Sequence, residues 1–219
     1  MQPKAAARLA LAALALLAAP APATRAEGEA AGAFDYYLLA LSWSPSFCAL
    51  GGDDGDAAEC RPGARRGFLL HGLWPQNERG WPSYCRTPAR DPSRAESARM
   101  ADVMGSGGLA WYEWKKHGRC SGLSAQDYFA TARAALARVA IPPVLTGLPR
   151  EVDLPASVVE DAFLDANPAL AADGITVTCE RGLIREVRIC LTRDLSFRRC
   201  GADTIRDCRL PDARMPPPR

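Results

Sequence analysis

Apolar positions along the chain follow two rhythms, broken by proline and glycine. Residues 34–43 are apolar on both alternating faces and rich in aromatics, the pattern of a strand buried at the centre of a sheet. Pro45 ends the run. Residues 51–56 and 61–66 are loop-like, and 67–70 form a short apolar strand that delivers His71 at its end. A long loop spans 75–94. Helical spacing follows: 97–103 and 109–117 predict helices, the second closed by Gly118 in the left-handed conformation glycine tolerates after a helix end. Ser124 with Asp127 opens another helix, whose Tyr128, Ala132, Ala135 and Val139 share one face before Pro142 and Pro143 stop it. Ser157 with Glu160 repeats the capping pattern ahead of Val159, Phe163 and Ala166. Strand rhythm returns at 175–179; after a turn at 180–182, residues 183–191 place Leu183, Val187, Ile189 and Leu191 on one face. Residues 211–219 are proline-rich with nothing to bury. With no internal repeat and no linker, the pattern predicts one α+β domain.

Composition narrows the class. A chain of 219 residues that is 48% hydrophobic and carries a formal charge of +2 is not disordered, and it can bury a sizeable core. Residues 1–23 read as a secretory signal: Lys4 and Arg8 make the positive start, 9–19 the apolar run, and Ala21-Pro22-Ala23 the small residues at the cut. Cleavage is expected after Ala23 or Ala26, leaving a leader (24–33), a domain (34–208) and the proline-rich tail (209–219). The apolar run is short of the roughly 20 residues that span a bilayer, so the expected product is a soluble, exported protein, periplasmic or secreted, with no membrane partner. Loss of Lys4 and Arg8 leaves 25 basic against 25 acidic side chains. A globally basic wrapper of nucleic acid is thereby excluded, and any hold on a polyanion must be local. Eight cysteines in an exported chain point to disulfides. Neither C-x₂-C nor H-x₃₋₅-H spacing occurs, so no metal and no cofactor is expected.

The chain has only two histidines, and both stand in dense motifs: Phe68-Leu69-Leu70-His71-Gly72-Leu73-Trp74-Pro75 and Trp111-Tyr112-Glu113-Trp114-Lys115-Lys116-His117-Gly118-Arg119-Cys120. On a helix, Glu113, Lys116 and His117 share one surface. A plain alternative is a surface Glu113–Lys116 ion pair, core-anchoring Trp111 and Trp114, and a His117 that caps the helix end, but it leaves the first motif unexplained. Two imidazoles and an ammonium around one pocket are the parts for in-line phosphoryl chemistry: one imidazole removes a proton, the other supplies one, and the cation meets charge on the phosphorus oxygens. With RNA as substrate, the ribose 2′-hydroxyl is the internal nucleophile.

On these motifs, with Leu41-Ser42-Trp43-Ser44-Pro45-Ser46-Phe47-Cys48 before them and Ile189-Cys190-Leu191 after, the chain resembles the ribonuclease T2 family of secreted acid ribonucleases over nearly its whole mature length. The resemblance implies a central antiparallel sheet with helices packed on it, stapled by disulfides, and an endoribonuclease acting on single-stranded RNA as a monomer. His117 would be the general base for the 2′-hydroxyl and His71 the general acid for the departing 5′-oxygen, exchanging roles when the 2′,3′-cyclic phosphate is hydrolysed to a 3′-phosphate. Glu113 and Lys116 would stabilise the pentacoordinate phosphorus. Trp74 would stack on a base, with Trp81 or Tyr84 on its other side. Implied disulfides are Cys48–Cys60, Cys85–Cys120, Cys179–Cys208 and Cys190–Cys200.

Departures from the family pattern are informative. Tyr112 stands where a third, phosphate-binding histidine is common, which predicts weaker substrate binding with the chemistry retained. Arg119 replaces a threonine and offers compensating positive potential. Gln76 occupies the position of a base-contacting aspartate in fungal members, so base preference does not transfer. The competing reading is a catalytically silent secreted member that binds a partner or an RNA fragment.

Overall fold

The computed structural model describes residues 28–52 and 57–218; the proposed export signal at 1–23 lies outside them. Along the chain run β1 (Tyr36–Trp43), α1 (Ser44–Ala49), β2 (Phe68–Gln76), α2 (Arg94–Ala98), α3 (Ala101–Met104), α4 (Gly107–Lys116), α5 (Ala125–Ala137), α6 (Pro143–Thr146), β3 (Val152–Leu154), α7 (Ala156–Ala166), β4 (Ile175–Glu180), β5 (Leu183–Leu191) and β6 (Ala213–Met215). The class is α+β. The sheet order is β2-β1-β5-β6-β3, with β4 also paired to β5. All pairings are antiparallel except the single parallel bridge of Leu183 to Arg214, so the sheet is mixed.

β1 is apolar except at Ser42 because both its faces are covered. Tyr37, Leu39, Leu41 and Trp43 join the main core with Trp114 of α4, Tyr128 of α5 and Phe163 of α7. Tyr36 and Leu38 face the other way, onto the Cys190–Cys200 disulfide. The remaining disulfides join Cys48 to Cys60, Cys85 to Cys120 and Cys179 to Cys208.

Two β-bulges decide what the sheet presents. In the β1–β2 ladder Ala40 pairs with Gly72 and Leu41 with Leu70, so His71 is an extra residue in the middle of a nine-residue strand rather than a residue at a strand end. A bulge lets neighbours turn to the same face, which breaks the period of two: Leu70 and Leu73 are both fully buried three positions apart. In the β4–β5 ladder Thr178 pairs with Glu186 and Cys179 with Ile184, leaving Arg185 over. That shift makes Ile184, not Leu183, the core companion of Val187, Ile189 and Leu191. Pro75, expected in a loop, is tolerated within β2 because β2 is the outer strand.

Other local expectations are corrected. The predicted 97–103 helix is two short ones, α2 and α3, the first opened by a Ser93–Glu96 capping box. Gly118 does not take the left-handed conformation, which falls to Gly122. Gly118 is required for closeness instead: a Cβ there would stand 2.6 Å from the Trp114 ring and 2.8 Å from that of Tyr128. Ser124 does cap α5, accepting from Asp127 N, but α7 begins before Ser157 and has Pro155 at its cap. The proline-rich tail is not idle. Its residues 213–215 form β6, with Met215 fully buried, and the Pro216 carbonyl accepts from Trp43 Nε1 at 2.9 Å.

Candidate active site

A cleft of about 460 Å³ lies where α4 meets the outer strand β2, and all eight candidate catalytic and substrate residues line it: His71, Trp74, Gln76, Trp81, Tyr112, Glu113, Lys116 and His117. Tyr84 is not among its walls. A second cavity of about 460 Å³ adjoins it, with His71 and Tyr112 in the wall common to both.

α4 is positioned from its start. Ser106 caps it by accepting from Leu109 N at 3.0 Å, and Ala110, Glu113 and Trp114 form its buried stripe. Glu113 is therefore a carboxylate on an apolar face, 1% exposed, and not half of a surface ion pair. It accepts from Trp74 Nε1 at 2.6 Å, and its other oxygen lies 3.6 Å from His71 Nε2. Trp114 is buried, as a core anchor must be, whereas Trp111 stands 45% exposed. Trp114 Nε1, Lys115 and Arg119 all donate to Asp91, at 2.6–3.2 Å. Burial would raise the Asp91 carboxyl, but these donors outweigh it and hold it at about 2. Arg119 is thus engaged by Asp91 and lends little free positive potential to the cleft. Past α4, the Cys85–Cys120 disulfide and the Tyr84 N to Lys116 O hydrogen bond of 2.8 Å tie the loop after β2 to the helix end that carries His117.

The two imidazoles live in opposite environments. His71 is half-buried and donates from Nδ1 to Glu186 Oε1 at 2.5 Å. Burial alone would lower it, but the hydrogen bond and charge of Glu186, with the charge of Glu113, outweigh that and carry it above its usual range. His117 is buried, its Nδ1 has no partner, and its ring stacks on Trp74 at 5.0 Å between centroids and 27° between planes. Burial, then the charges of Lys116 and His71, push it down to about 3. Burial also raises Glu113, against His71, Trp74 and Lys116. Lys116 has no ion pair among the described residues; its Nζ lies 5.7 Å from the Tyr112 ring centroid.

Sequence reasoning missed Glu186 and Arg188. Arg188 donates Nε and Nη2 to Glu186 Oε2, at 2.9 and 2.7 Å, and its guanidinium lies 5.3 Å from the Trp74 ring. Burial would raise Glu186, yet His71 and Arg188 hold it at about 2. The available signal is that Glu186 and Arg188 stand two apart in a strand whose only other charged residue is Arg185, which puts the two on one sheet face.

Residues 34–200 match the model of the Ribonuclease T2 family. Over 220 residues the chain is 34% identical to a ribonuclease of Aeromonas hydrophila, with 93% of each protein covered. Its fold is similar to that of the RNase-related protein from Calystegia sepium, with a TM-score of 0.67 at 22% identity, covering 84% of this chain and 97% of that one. It is also similar to RNase NT, solved in complex with 5′-AMP, with a TM-score of 0.61 at 22% identity and coverages of 84% and 98%.

Proposed function

This chain belongs to the ribonuclease T2 family of endoribonucleases, and we propose that it cuts single-stranded RNA without a metal, by attack of the ribose 2′-hydroxyl on the neighbouring phosphorus. The neutral His117 imidazole takes the 2′-hydroxyl proton as the new P–O bond forms. His71, protonated, gives its Nε2 proton to the 5′-oxygen as the P–O bond to that oxygen breaks. The 2′,3′-cyclic phosphate then reacts with water: His71 takes the water proton, His117 returns one to the 2′-oxygen, and a 3′-phosphate remains. Lys116 and Glu113 meet the non-bridging oxygens as charge grows there.

One observation carries this reading: both imidazoles, with Glu113 and Lys116, line one cleft, His71 hydrogen-bonded to the Glu186 carboxylate and His117 buried with no partner at Nδ1. A pair of titrating groups driven apart by their surroundings is what an acid and a base sharing one step require. The two adjoining cavities, with His71 in their common wall, offer room for the nucleosides on either side of the scissile phosphate. Trp81 provides an exposed face for a base beside the Gln76 amide, whereas the Trp74 ring already stacks on His117 and meets the Arg188 guanidinium. Retention of both histidines, Glu113 and Lys116 argues against the silent, binding-only reading. We further propose that it is exported, supported by the signal-like residues 1–23, and acts as a monomer; no helix among the described residues is long and apolar enough to cross a membrane.

Digestion of single-stranded RNA in EDTA, with end-group analysis over time, is the test. A cyclic phosphate that appears first and a 3′-phosphate that replaces it are expected. Absence of cleavage in EDTA, or products without a cyclic intermediate, would reject the mechanism.

A further inference from the structure

We propose that Glu186 is a positioning residue that fixes the tautomer and the aim of His71, with Arg188 holding Glu186 in place; this rests on the general-acid reading of His71 given above. Glu186 sits on β5 opposite Ser42, next to the bulge residue Arg185, and His71 is itself the bulge residue of β2. The two irregularities bracket the contact across β1. Glu186 is 3% exposed, and its two oxygens are divided: Oε1 receives His71 Nδ1 and Oε2 receives both Arg188 donors.

The geometry leaves His71 one orientation. Glu113 does not orient the ring, since 3.6 Å to Nε2 is beyond a hydrogen bond and its other oxygen is taken by Trp74. An ionised carboxylate only accepts, so Nδ1 keeps its proton and Nε2 is the nitrogen that faces the cleft and exchanges one. After His71 has protonated the 5′-oxygen it is neutral at Nε2 and still protonated at Nδ1, ready to take a proton from water in the second step. The charged groups around it are Glu186 with Arg185 and Arg188 on β5, Glu113 with Lys116 and His117 at α4, and Glu59, Asp203 and Arg206 on the walls of the two adjoining cavities.

Both demands on Glu186 are for acceptors, and only a carboxylate has two. In Glu186→Gln the single amide oxygen serves Arg188 or His71, and the NH₂ must face the other. With Arg188 always charged, the NH₂ turns to His71 Nδ1, which then has to accept. The neutral ring becomes the Nε2–H tautomer and its protonated form loses its partner.

Because the protein has only two histidines, ¹⁵N NMR of the free enzyme reads this directly, with His117→Phe for assignment. In the unsubstituted protein the neutral His71 should carry its proton on Nδ1. In Glu186→Gln it should carry it on Nε2, and the protonation midpoint should fall by about 1–3 pH units. On RNA, the same variant should lose on the order of 10²-fold in kcat with KM within about twofold, and the alkaline limb of its pH profile should move to lower pH. An Nε2–H tautomer in the unsubstituted protein, or an unmoved midpoint and limb in the variant, overturns the proposal. If Glu186→Gln does not fold, the tautomer of the unsubstituted protein decides alone. The NMR measurement uses no RNA, so it separates a failure of Glu186 as positioner from a failure of the ribonuclease mechanism, which would show as unimpaired cleavage by His71→Phe.

Discussion

At the scale of single residues, the two histidines set the pH response. Cleavage needs His117 neutral and His71 protonated. His117, lowered to about 3, is neutral at any higher pH; His71, raised above its usual range, stays protonated up to a pH beyond 6.5. The profile of kcat/KM in the free enzyme should therefore rise near pH 3, stay high through the weakly acidic range and fall above about 6.5. A profile rising through pH 7 would contradict the assignment of acid and base. Tyr112 lines the cleft but brings no charge of its own. Tyr112→His should lower KM several-fold at pH 5, where the new imidazole is cationic, and much less at pH 8; steady-state kinetics at the two pH values check this. The residues legible in the sequence were those within two contiguous, unusual motifs. Glu186 was not, because it lies 115 residues from His71 in a strand whose pattern is that of an ordinary core element.

At the scale of elements, the decisive feature is the close approach of α4 to β2. A Cβ on Gly72 would stand 2.2 Å from Glu113 Oε2 and 2.3 Å from Trp74 Nε1, the two atoms of the hydrogen bond that joins strand to helix. Gly72→Ala should pry that contact open, displacing Trp74 from beneath His117. The expected outcome is a loss of 10²-fold or more in kcat/KM, on the order of what a misplaced catalytic group costs, with the far-UV circular dichroism retained. Activity within threefold of the parent would show that the contact is dispensable. Periodicity found the long helices and the β4–β5 hairpin because each buries a regular stripe. Both bulges escaped it: an inserted residue breaks the alternation on which strand reading depends, and it does so where the site residues are aimed. Periodicity likewise joins α2 and α3 into one helix over 97–103, because the turn between them has no proline or glycine to mark it.

At the scale of the whole molecule, charge and cross-links do different work. Some surface arginines are paired, Arg90 with Glu96, Arg133 with Asp102 and Arg198 with Glu78. Such exposed pairs add little stability. The disulfides add more: the Cys85–Cys120 bridge closes a 35-residue separation, worth about 4 kcal/mol in the chain-entropy model. Replacing both cysteines by alanine should lower the unfolding free energy by roughly that amount in a denaturant titration. A loss below about 1 kcal/mol would mean that the loop after β2 is held by its other contacts. The prolines at 211 and 216–218 hide β6 from composition, because the apolar pair it buries is only Ala213 and Met215.

The hydrogen bond from Trp43 to the Pro216 carbonyl joins positions 173 residues apart. Trp43 is fully buried, so its indole N–H has no water to turn to if that carbonyl leaves. Fraying of the short strand β6 therefore leaves a donor orphaned at the end of the central strand, a penalty that discourages the edge from peeling away and couples its opening to the core.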